Sequence, residues 1–485
     1  MMIALVTILI LTSNLYRALA FVPPSASSSA TPVNEEKGSS STATPTSPAL
    51  RENEIFDCDS SVEFWREFGN QNNPRTLQTN IADIAAIASR FATQGPDALR
   101  YWLRHTGRSS YFAGNALLGN LGYQLHERLV KRNDDRSSTT ASSNGSVLPF
   151  GMDSSVASRL LLEAYLCYEQ DYELITEGKY TEPWDMTSFR HRQSNFANVL
   201  RQTNRFVNEA IGTLRRRYRQ NEEDKNIWIT DSASPKLYPD YYRTAFHYQT
   251  DGWMSKRSAD VYETSTETLF LGRQDAMQRT SLPPIVKYAN EKVSNGGLKI
   301  LEVACGTGRF MTFIRDNLPL NAECTAVDLS PYYLDAARDN DAYWRKYRRE
   351  EESRKGNVMS KDAIQPLRLV QAQAEDLPFE DESFDIVVCV YLYHELPQEI
   401  RSKASAEMAR VLKQNGLLVF TDSIQRGDRP MLDKGLVQIE NMNEPFYVNY
   451  YEEDYLPDHF LKEGFTPLTK SVRASTKSLS FLKSS

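Results

Sequence analysis

Apolar residues in the first half of the chain recur at helical spacing. They stand three or four positions apart in two blocks, Ile81, Ile84, Ile87 and Phe91, and then Val156, Leu160, Ala164 and Cys167. Because this spacing places the side chains on one helical face, we expect residues 51–230 to be mostly α-helical. Residues 134–155 between the blocks are rich in Ser, Thr, Asn and Gly, which predicts an exposed, disordered linker.

The second half of the chain changes to short apolar runs. The run at 298–304 passes through a turn containing Gly306 and Gly308 into a helical pattern. Similar runs follow at 324–327, 386–390 and 417–420. Short strands that alternate with helices predict an α/β fold with a largely parallel sheet, which we assign to residues 291–485. An aromatic-rich segment, 231–290, precedes this domain.

Composition narrows the possible functions. The chain has 485 residues and a formal net charge of −7, which argues against a protein that binds nucleic acid through its phosphates. Its five cysteines are scattered and form no CxxC pair, so we expect neither a disulfide framework nor a metal site. We expect a small-molecule partner and leave the oligomeric state open.

The first 50 residues have the composition of targeting segments. An apolar run at 1–12 and the small residues Ala18 and Ala20 predict a signal peptide over residues 1–20. Residues 21–50 begin with Phe21 and are rich in Ser, Thr and Pro, so we expect them to be disordered. The arrangement resembles the bipartite plastid presequence of diatoms and related algae. It implies a plastid protein with no transmembrane segment in its mature form, and secretion is the alternative.

Residues 298–423 resemble the class I S-adenosylmethionine-dependent methyltransferases. The resemblance is carried by the glycine turn, by Asp328 twenty residues after Gly308, and by Gln373, Ala374 and Glu375 ahead of the strand at 386–390. Within this family the chain is most similar to the quinone C-methyltransferases. A dinucleotide site is the competing interpretation of a glycine turn, but its GxGxxG pattern needs glycine where Met311 stands.

The resemblance implies a Rossmann-like, seven-stranded sheet and S-adenosylmethionine as the cofactor. It assigns Glu302, Ala304, Gly306 and Gly308 to the methionine half of the cofactor, Asp328 and Leu329 to the ribose and adenine, Gln373, Ala374 and Glu375 to the adenine edge, and Val390 to the strand end near the sulfonium. Two positions depart from the common pattern. Gln373 replaces a frequent Asp, and Ala304 replaces a frequent Gly.

The loop after Val390 supplies the candidate catalytic residues. An aromatic face such as that of Tyr391 suits a sulfonium, and a neutral imidazole such as that of His394 can act as a base near neutral pH. Packing or capping is the alternative for His394. For the wall or lid of the acceptor site we select Tyr393, His247, Trp253, Tyr447, Tyr450 and Tyr451.

The predicted function is methyl transfer to a small, lipophilic or aromatic molecule. The (D/N)PPY motif of adenine-N and glutamine-N methyltransferases is absent after residue 390. The segment at 238–253 resembles one in plastid and cyanobacterial methyltransferases of unassigned substrate. The alternative is a non-catalytic protein that keeps the methyltransferase fold and serves as an assembly or binding factor through its helical region.

Overall fold

The computed structural model describes residues 47–70, 74–134, 154–187, 196–219, 221–227, 238–292, 297–357, 360, 363–437 and 442–484. The predicted signal peptide, most of the predicted transit segment and residues 135–153 of the predicted linker lie outside this described part. No helix within it is both long enough and apolar enough to cross a membrane.

One eight-stranded sheet forms the centre of the structure, in the order β1-β7-β8-β6-β5-β2-β3-β4. The strands are β1 Asp57–Cys58, β2 Lys299–Val303, β3 Glu323–Asp328, β4 Arg368–Gln371, β5 Phe384–Val390, β6 Leu412–Ser423, β7 Phe465–Arg473 and β8 Thr476–Lys483. Strand β8 runs antiparallel to both of its neighbours, and the other pairings are parallel. The sheet therefore has the α/β, Rossmann-like architecture that was predicted.

The sheet has one strand more than the seven predicted. Strand β1 comes from the N-terminal region and pairs with β7 in the register Asp57↔Thr469 and Cys58↔Lys470. A strand of two residues is too short to show an alternating pattern in the sequence. The predicted disordered segment 21–50 also extends too far, because the helix Pro48–Glu52 begins inside it and Ala49 is fully buried.

Helices cover both faces of the sheet. In chain order they are α1 Pro48–Glu52, α2 Ser60–Glu67, α3 Leu77–Thr93, α4 Pro96–Asp134, α5 Ser154–Thr176, α6 Phe196–Arg219, α7 Glu222–Lys225, α8 Lys256–Leu269, α9 Gln274–Gln278, α10 Leu282–Lys292, α11 Arg309–Asp316, α12 Pro331–Arg354, α13 Gln398–Val411, α14 Asp433–Leu436 and α15 Leu456–Leu461. Three of the four residues that the apolar spacing placed on one face of α3, Ile84, Ile87 and Phe91, are nearly inaccessible, whereas Ile81 in the first turns of the helix is exposed.

The N-terminal helices share a core with the sheet. One buried cluster contains Trp65 of α2, Ile87 of α3 and Tyr165 of α5 together with Ile424 and Val472, which lie at the ends of β6 and β7. The burial of these large side chains favours association of the two regions, since each apolar side chain removed from water contributes about 1.5 to 3 kcal/mol.

A buried carboxylate also joins the two regions. Asp171 of α5 is fully buried and accepts hydrogen bonds from Arg279 Nη2 at 2.5 Å, from Arg473 Nη1 at 3.0 Å and from the Tyr180 hydroxyl at 2.6 Å. Tyr101 of α4 also donates to it. Burial alone would raise the pKa of Asp171, but the two guanidinium groups outweigh it and hold the pKa well below its usual range.

We predict that Asp171→Asn strongly destabilises the protein. The substitution leaves Arg279 and Arg473 buried without their counter-charge, so the free energy of unfolding should fall by about 3 to 5 kcal/mol. Since the pKa of Asp171 is depressed in the folded state, this contribution is present above the unfolded pKa of about 4 and is lost as the pH falls. Urea unfolding at pH 7 and pH 3 measures both effects.

The matched control is Asp83→Asn. The Asp83 side chain is 51% exposed and pairs with Arg75. Such a surface pair contributes at most about 1 kcal/mol. Equal unfolding free energies for the two variants would contradict the role given to Asp171.

Candidate active site

The turn after β2 is built from left-handed backbone. Ala304, Gly306 and Gly308 have φ of 59°, 54° and 68°. Helix α11 starts directly after Gly308, and a Cβ added to Gly308 would lie 3.0 Å from the Cβ of Ala337 in α12. This position therefore needs glycine both for its φ and for the close packing of the helices.

Asp328 connects the end of β3 to this turn. Its Oδ2 accepts a hydrogen bond from the Gly306 backbone N–H at 2.8 Å, and its Oδ1 accepts one from the Ser330 N–H at 2.8 Å. Burial raises the pKa of Asp328 to about 6, although these backbone donors oppose the shift. The two oxygens of a carboxylate offer about four lone-pair sites together, so Asp328 can still accept a hydrogen bond from a ligand.

Asp328 faces a small cavity at the carboxyl ends of β3, β4 and β5, which we call the Asp328 cavity. Predicted cofactor residues in its wall are Ala304, Gly306, Asp328, Leu329, Gln373, Ala374 and Glu375. The Tyr241 hydroxyl donates to Glu375 Oε1 at 2.5 Å, while Glu375 Oε2 is buried and accepts no hydrogen bond from the described residues. A ligand with hydroxyl and amino donors would satisfy these oxygens.

A second, larger cavity of about 1080 Å³ lies between the helical region and the glycine turn, and we call it the helix-side cavity. Its sheet side contains Glu302, Val390 and Tyr391, and helices α4, α6 and α8 supply much of the rest of its wall. Tyr262 of α8 and Tyr391 line both cavities, so the two spaces meet at these rings.

Glu302 is the buried acid of the helix-side cavity. It is 2% exposed, and its Oε2 accepts no hydrogen bond from any residue that the structure describes. Burial raises the pKa of Glu302 to about 8, with a further contribution from Asp328. An ammonium group bound beside it would pair with this carboxylate, which fits the amino acid end of the predicted cofactor.

Ion pairs hold the helices against the glycine turn. Arg309, the first residue of α11, pairs with Asp185 and lies 2.7 Å from Asp275 Oδ2. Arg108 of α4 bonds the same Asp275 oxygen at 2.7 Å and Glu267 of α8 at 2.7 Å. These two arginines and three acidic residues all line the helix-side cavity, so a single network of ion pairs forms part of its wall.

His394 forms a pair with a buried aspartate. Its Nδ1 lies 2.5 Å from Oδ1 of Asp422, and Asp422 Oδ2 accepts the backbone N–H of Tyr393 at 2.7 Å. Burial alone would lower the pKa of His394, but Asp422 outweighs it and raises the pKa to about 9. The imidazole is therefore protonated at neutral pH. The ring is not part of either cavity wall, whereas the neighbouring Glu395 lines the Asp328 cavity.

The structure places most of the predicted lid residues elsewhere. Tyr447, Tyr450 and Tyr451 are at most 2% exposed and belong to the core, with the rings of Tyr447 and Tyr450 packed edgewise against His394 at 6.1 and 6.2 Å. The rings of Tyr447 and Tyr450 thus pack against His394, and none of the three tyrosines lines either cavity. Aromatic density in the sequence shows that these rings bury large surfaces but does not show on which side of a loop they lie.

Tyr393 and His247 also depart from the predicted wall, whereas Trp253 lines the Asp328 cavity. A 3-10 turn over Tyr393–Glu395 directs Tyr393 into the core, where its hydroxyl bonds Ser405 Oγ at 2.6 Å. His247 lies outside both cavity walls, with its Nε2 2.8 Å from Glu444 Oε1.

Sequence reasoning missed several residues of the two walls. They are Glu395, Tyr241, Tyr242, Tyr262 and Tyr333 in the Asp328 cavity, and Leu99, Leu103, Gly107, Phe112 and Gln202 in the helix-side cavity. The aromatic density of segment 231–290 was a signal for Tyr241, Tyr242 and Tyr262. No local pattern could indicate that α4 and α6 face the glycine turn, because that contact is long-range.

Comparison with known proteins agrees with this geometry. Residues 301–420 match the family model of a methyltransferase domain. An uncharacterized protein of Haemophilus influenzae is 34% identical over 33% of this chain and 57% of its own length. An uncharacterized methyltransferase of Bacillus subtilis is 28% identical over 31% and 50%. A demethylmenaquinone methyltransferase of Staphylococcus aureus is 29% identical over 27% and 44%.

The chain thus spans about half the length of the curated relatives it matches. The matched segment contains β3, β4, β5 and the residues of the Asp328 cavity that lie at their carboxyl ends. Over residues 301–420 the chain therefore matches a methyltransferase domain, which agrees with its resemblance to the class I, S-adenosylmethionine-dependent methyltransferases.

Proposed function

We propose that this protein transfers a methyl group from S-adenosylmethionine to a small, largely apolar or aromatic molecule bound in the helix-side cavity. The observation that carries the proposal is the meeting of the two cavities at Tyr262 and Tyr391. One cavity contains the carboxylate suited to a ribose, and the other is large enough for an acceptor.

The residues of the Asp328 cavity and the glycine turn fit the cofactor. When bound, S-adenosylmethionine supplies a methyl group on a positively charged sulfur. Asp328 has lone pairs for the ribose hydroxyls, and Glu302 has an unpartnered oxygen for the ammonium group. The rings of Tyr262 and Tyr391 lie where the two spaces join, and aromatic faces attract a cation by about 1 to 2 kcal/mol when water is excluded.

The size and walls of the helix-side cavity indicate the kind of acceptor. At about 1080 Å³ it is at the upper end of ligand sites, which span roughly 300 to 1,000 Å³. Leu99, Leu103 and Phe112 supply apolar surface, and Gln202 supplies a buried amide oxygen that accepts no hydrogen bond from the described residues. These features favour a large, mostly apolar acceptor with a polar group. A relative named for demethylmenaquinone agrees with such chemistry.

We also propose that the protein acts in a plastid. The support is the resemblance of residues 1–50 to a bipartite plastid presequence. The destination of a fluorescent fusion of these residues in a diatom cell tests this location, and secretion contradicts it.

Calorimetry with S-adenosylhomocysteine tests the cofactor site. We predict that Asp328→Asn weakens binding by about 1.5 to 3 kcal/mol, because the ribose hydroxyls lose a charged acceptor. Asparagine can keep a hydrogen bond to the backbone, so the turn should stay folded. Asp335→Asn is the control, since Asp335 is an exposed residue of α12 paired with Arg338. Equal affinities for the two variants would argue against the assignment of Asp328.

Incubation of the protein with plastid extract and a methyl-labelled cofactor tests the reaction itself. Transfer of label to a small organic-soluble molecule is the expected result. Cofactor binding without transfer to any molecule would contradict the enzyme and favour the non-catalytic alternative.

The protonation of His394 gives a further prediction. The chain has six histidines, so NMR of ¹³C-labelled histidine can follow each of them. We expect His394, identified with His394→Gln, to titrate near pH 9 and thus to be a cation rather than a base at neutral pH. In Asp422→Asn the largest contribution that opposes burial is lost, so the pKa of His394 should fall from about 9 towards the ordinary value of about 6.5.

His105 provides an internal control for this titration. Burial and the nearby Arg279 lower the pKa of His105 to about 3, so its signal should not change between pH 5 and 10. A pKa of His394 at or below 6.5 in the unmodified protein would contradict this expectation and would support His394 as the base that the sequence predicts.

A further inference from the structure

Three side chains from separate segments converge beside the Asp328 cavity. They are His247, from the aromatic segment before the sheet, Glu395, from the 3-10 turn after β5, and Glu444, from the segment after β6. One ligand atom of each lies within 4.8 Å of the other two. We call this group the His247–Glu395–Glu444 cluster.

The Glu444 carboxylate is the member of the cluster whose burial is not explained by hydrogen bonds. Its side chain is fully buried, and neither oxygen accepts a well-aligned hydrogen bond from any residue in the described part of the chain. The cation within reach is the His247 imidazole, whose Nε2 lies 2.8 Å from Oε1. A buried carboxylate without donors is costly unless a positive charge compensates for it.

Carboxylates outnumber imidazoles around the cluster. Three carboxylates, of Asp422, Glu395 and Glu444, share this space with two imidazoles, of His394 and His247. A bound cation would pair with the two Glu444 oxygens that accept no well-aligned hydrogen bond from the described residues.

We propose that His247, Glu395 and Glu444 bind a divalent metal ion of the first transition row. One imidazole nitrogen with two carboxylates is a donor set that suits Mn²⁺, Fe²⁺, Co²⁺ or Zn²⁺ and leaves coordination positions open. Donors of one such ion lie at most about 4.4 Å apart, twice a bond of about 2.2 Å. The observed spread of 4.8 Å needs only small side-chain adjustments to reach this limit.

The position of the cluster suggests that the ion activates the methyl acceptor. This role rests on the proposed methyl transfer. Glu395 lines the Asp328 cavity beside Tyr391, near the point where the two cavities meet. An acceptor hydroxyl bound at an open position of the ion would lose its proton to solvent more readily, because the ion stabilises the resulting oxygen anion.

Titration of the full-length, tag-free protein with MnCl₂ tests the site, with free Mn²⁺ followed by electron paramagnetic resonance. We expect one tight ion per chain and a loss of affinity of about tenfold or more in Glu444→Gln and in Glu395→Gln. Glu453→Gln, which changes an exposed glutamate of the same segment, should leave the affinity unchanged.

Co²⁺ absorption gives a second measurement on the same proteins. The d–d bands should change in His247→Asn, which remains informative if a glutamate variant fails to fold, as judged by its melting curve. Failure of the unmodified protein to bind either ion stoichiometrically overturns the proposal. Equal Mn²⁺ affinities in folded Glu444→Gln and Glu453→Gln overturn it as well.

Calorimetry with S-adenosylhomocysteine on the same samples separates this proposal from the proposed function. Cofactor binding without metal binding would contradict the proposed metal site and would leave the proposed methyltransferase function supported. Metal binding without cofactor binding supports the site and contradicts the proposed function.

Discussion

The buried carboxylate of Asp171 holds the helical half of the chain against the sheet. It lies on α5 and binds Arg279, ahead of the sheet, and Arg473, at the end of β7. A second network, of Arg108, Asp275 and Arg309, joins α4 directly to the glycine turn. These buried charges are paired across the two regions. Separating the regions would leave the ions without their partners, and this fixes the helices above the turn.

The helix-side cavity is a consequence of that constraint. In a sheet of parallel strands, ligands bind at the carboxyl ends, where Asp328 and the glycine turn stand. The sheet alone would leave this edge open to water. Helices α4, α6 and α8 lie over it and line a cavity of about 1080 Å³ next to Tyr391, which is partly open to solvent, since Leu103 of its wall is 53% exposed. In the proposed function, the helical region contributes the wall of the acceptor site, while the predicted cofactor residues at the carboxyl ends of β3, β4 and β5 belong to the segment that matches the methyltransferase domain.

The predictable parts of the structure were local in sequence. The strand, turn and helix around Gly306 and the acid at Asp328 are each encoded within a few residues, so their pattern predicted the fold correctly and predicts which edge of the sheet holds the cofactor. The missed features depend on contacts between distant segments. Strand β1 exists only through its pairing with β7. Strand β6 begins at Leu412, five residues before the apolar run 417–420, and its pairing with β5 skips from Leu412 to Leu417. The tyrosines after β6 were recognised as a cluster, but only packing decides that they face the core.

The central claim is that the helix-side cavity holds the methyl acceptor, and a cavity-filling substitution tests it most directly. Gly107 of α4 lines this cavity and has no atom within 4 Å of an added Cβ, while Gly114 of the same helix is equally free and lies outside the cavity. The measurement is the rate of labelled methyl transfer by Gly107→Leu and Gly114→Leu. The account predicts a loss of about tenfold or more for Gly107→Leu, with S-adenosylhomocysteine affinity retained, and no loss for Gly114→Leu. Equal rates for the two variants would contradict it.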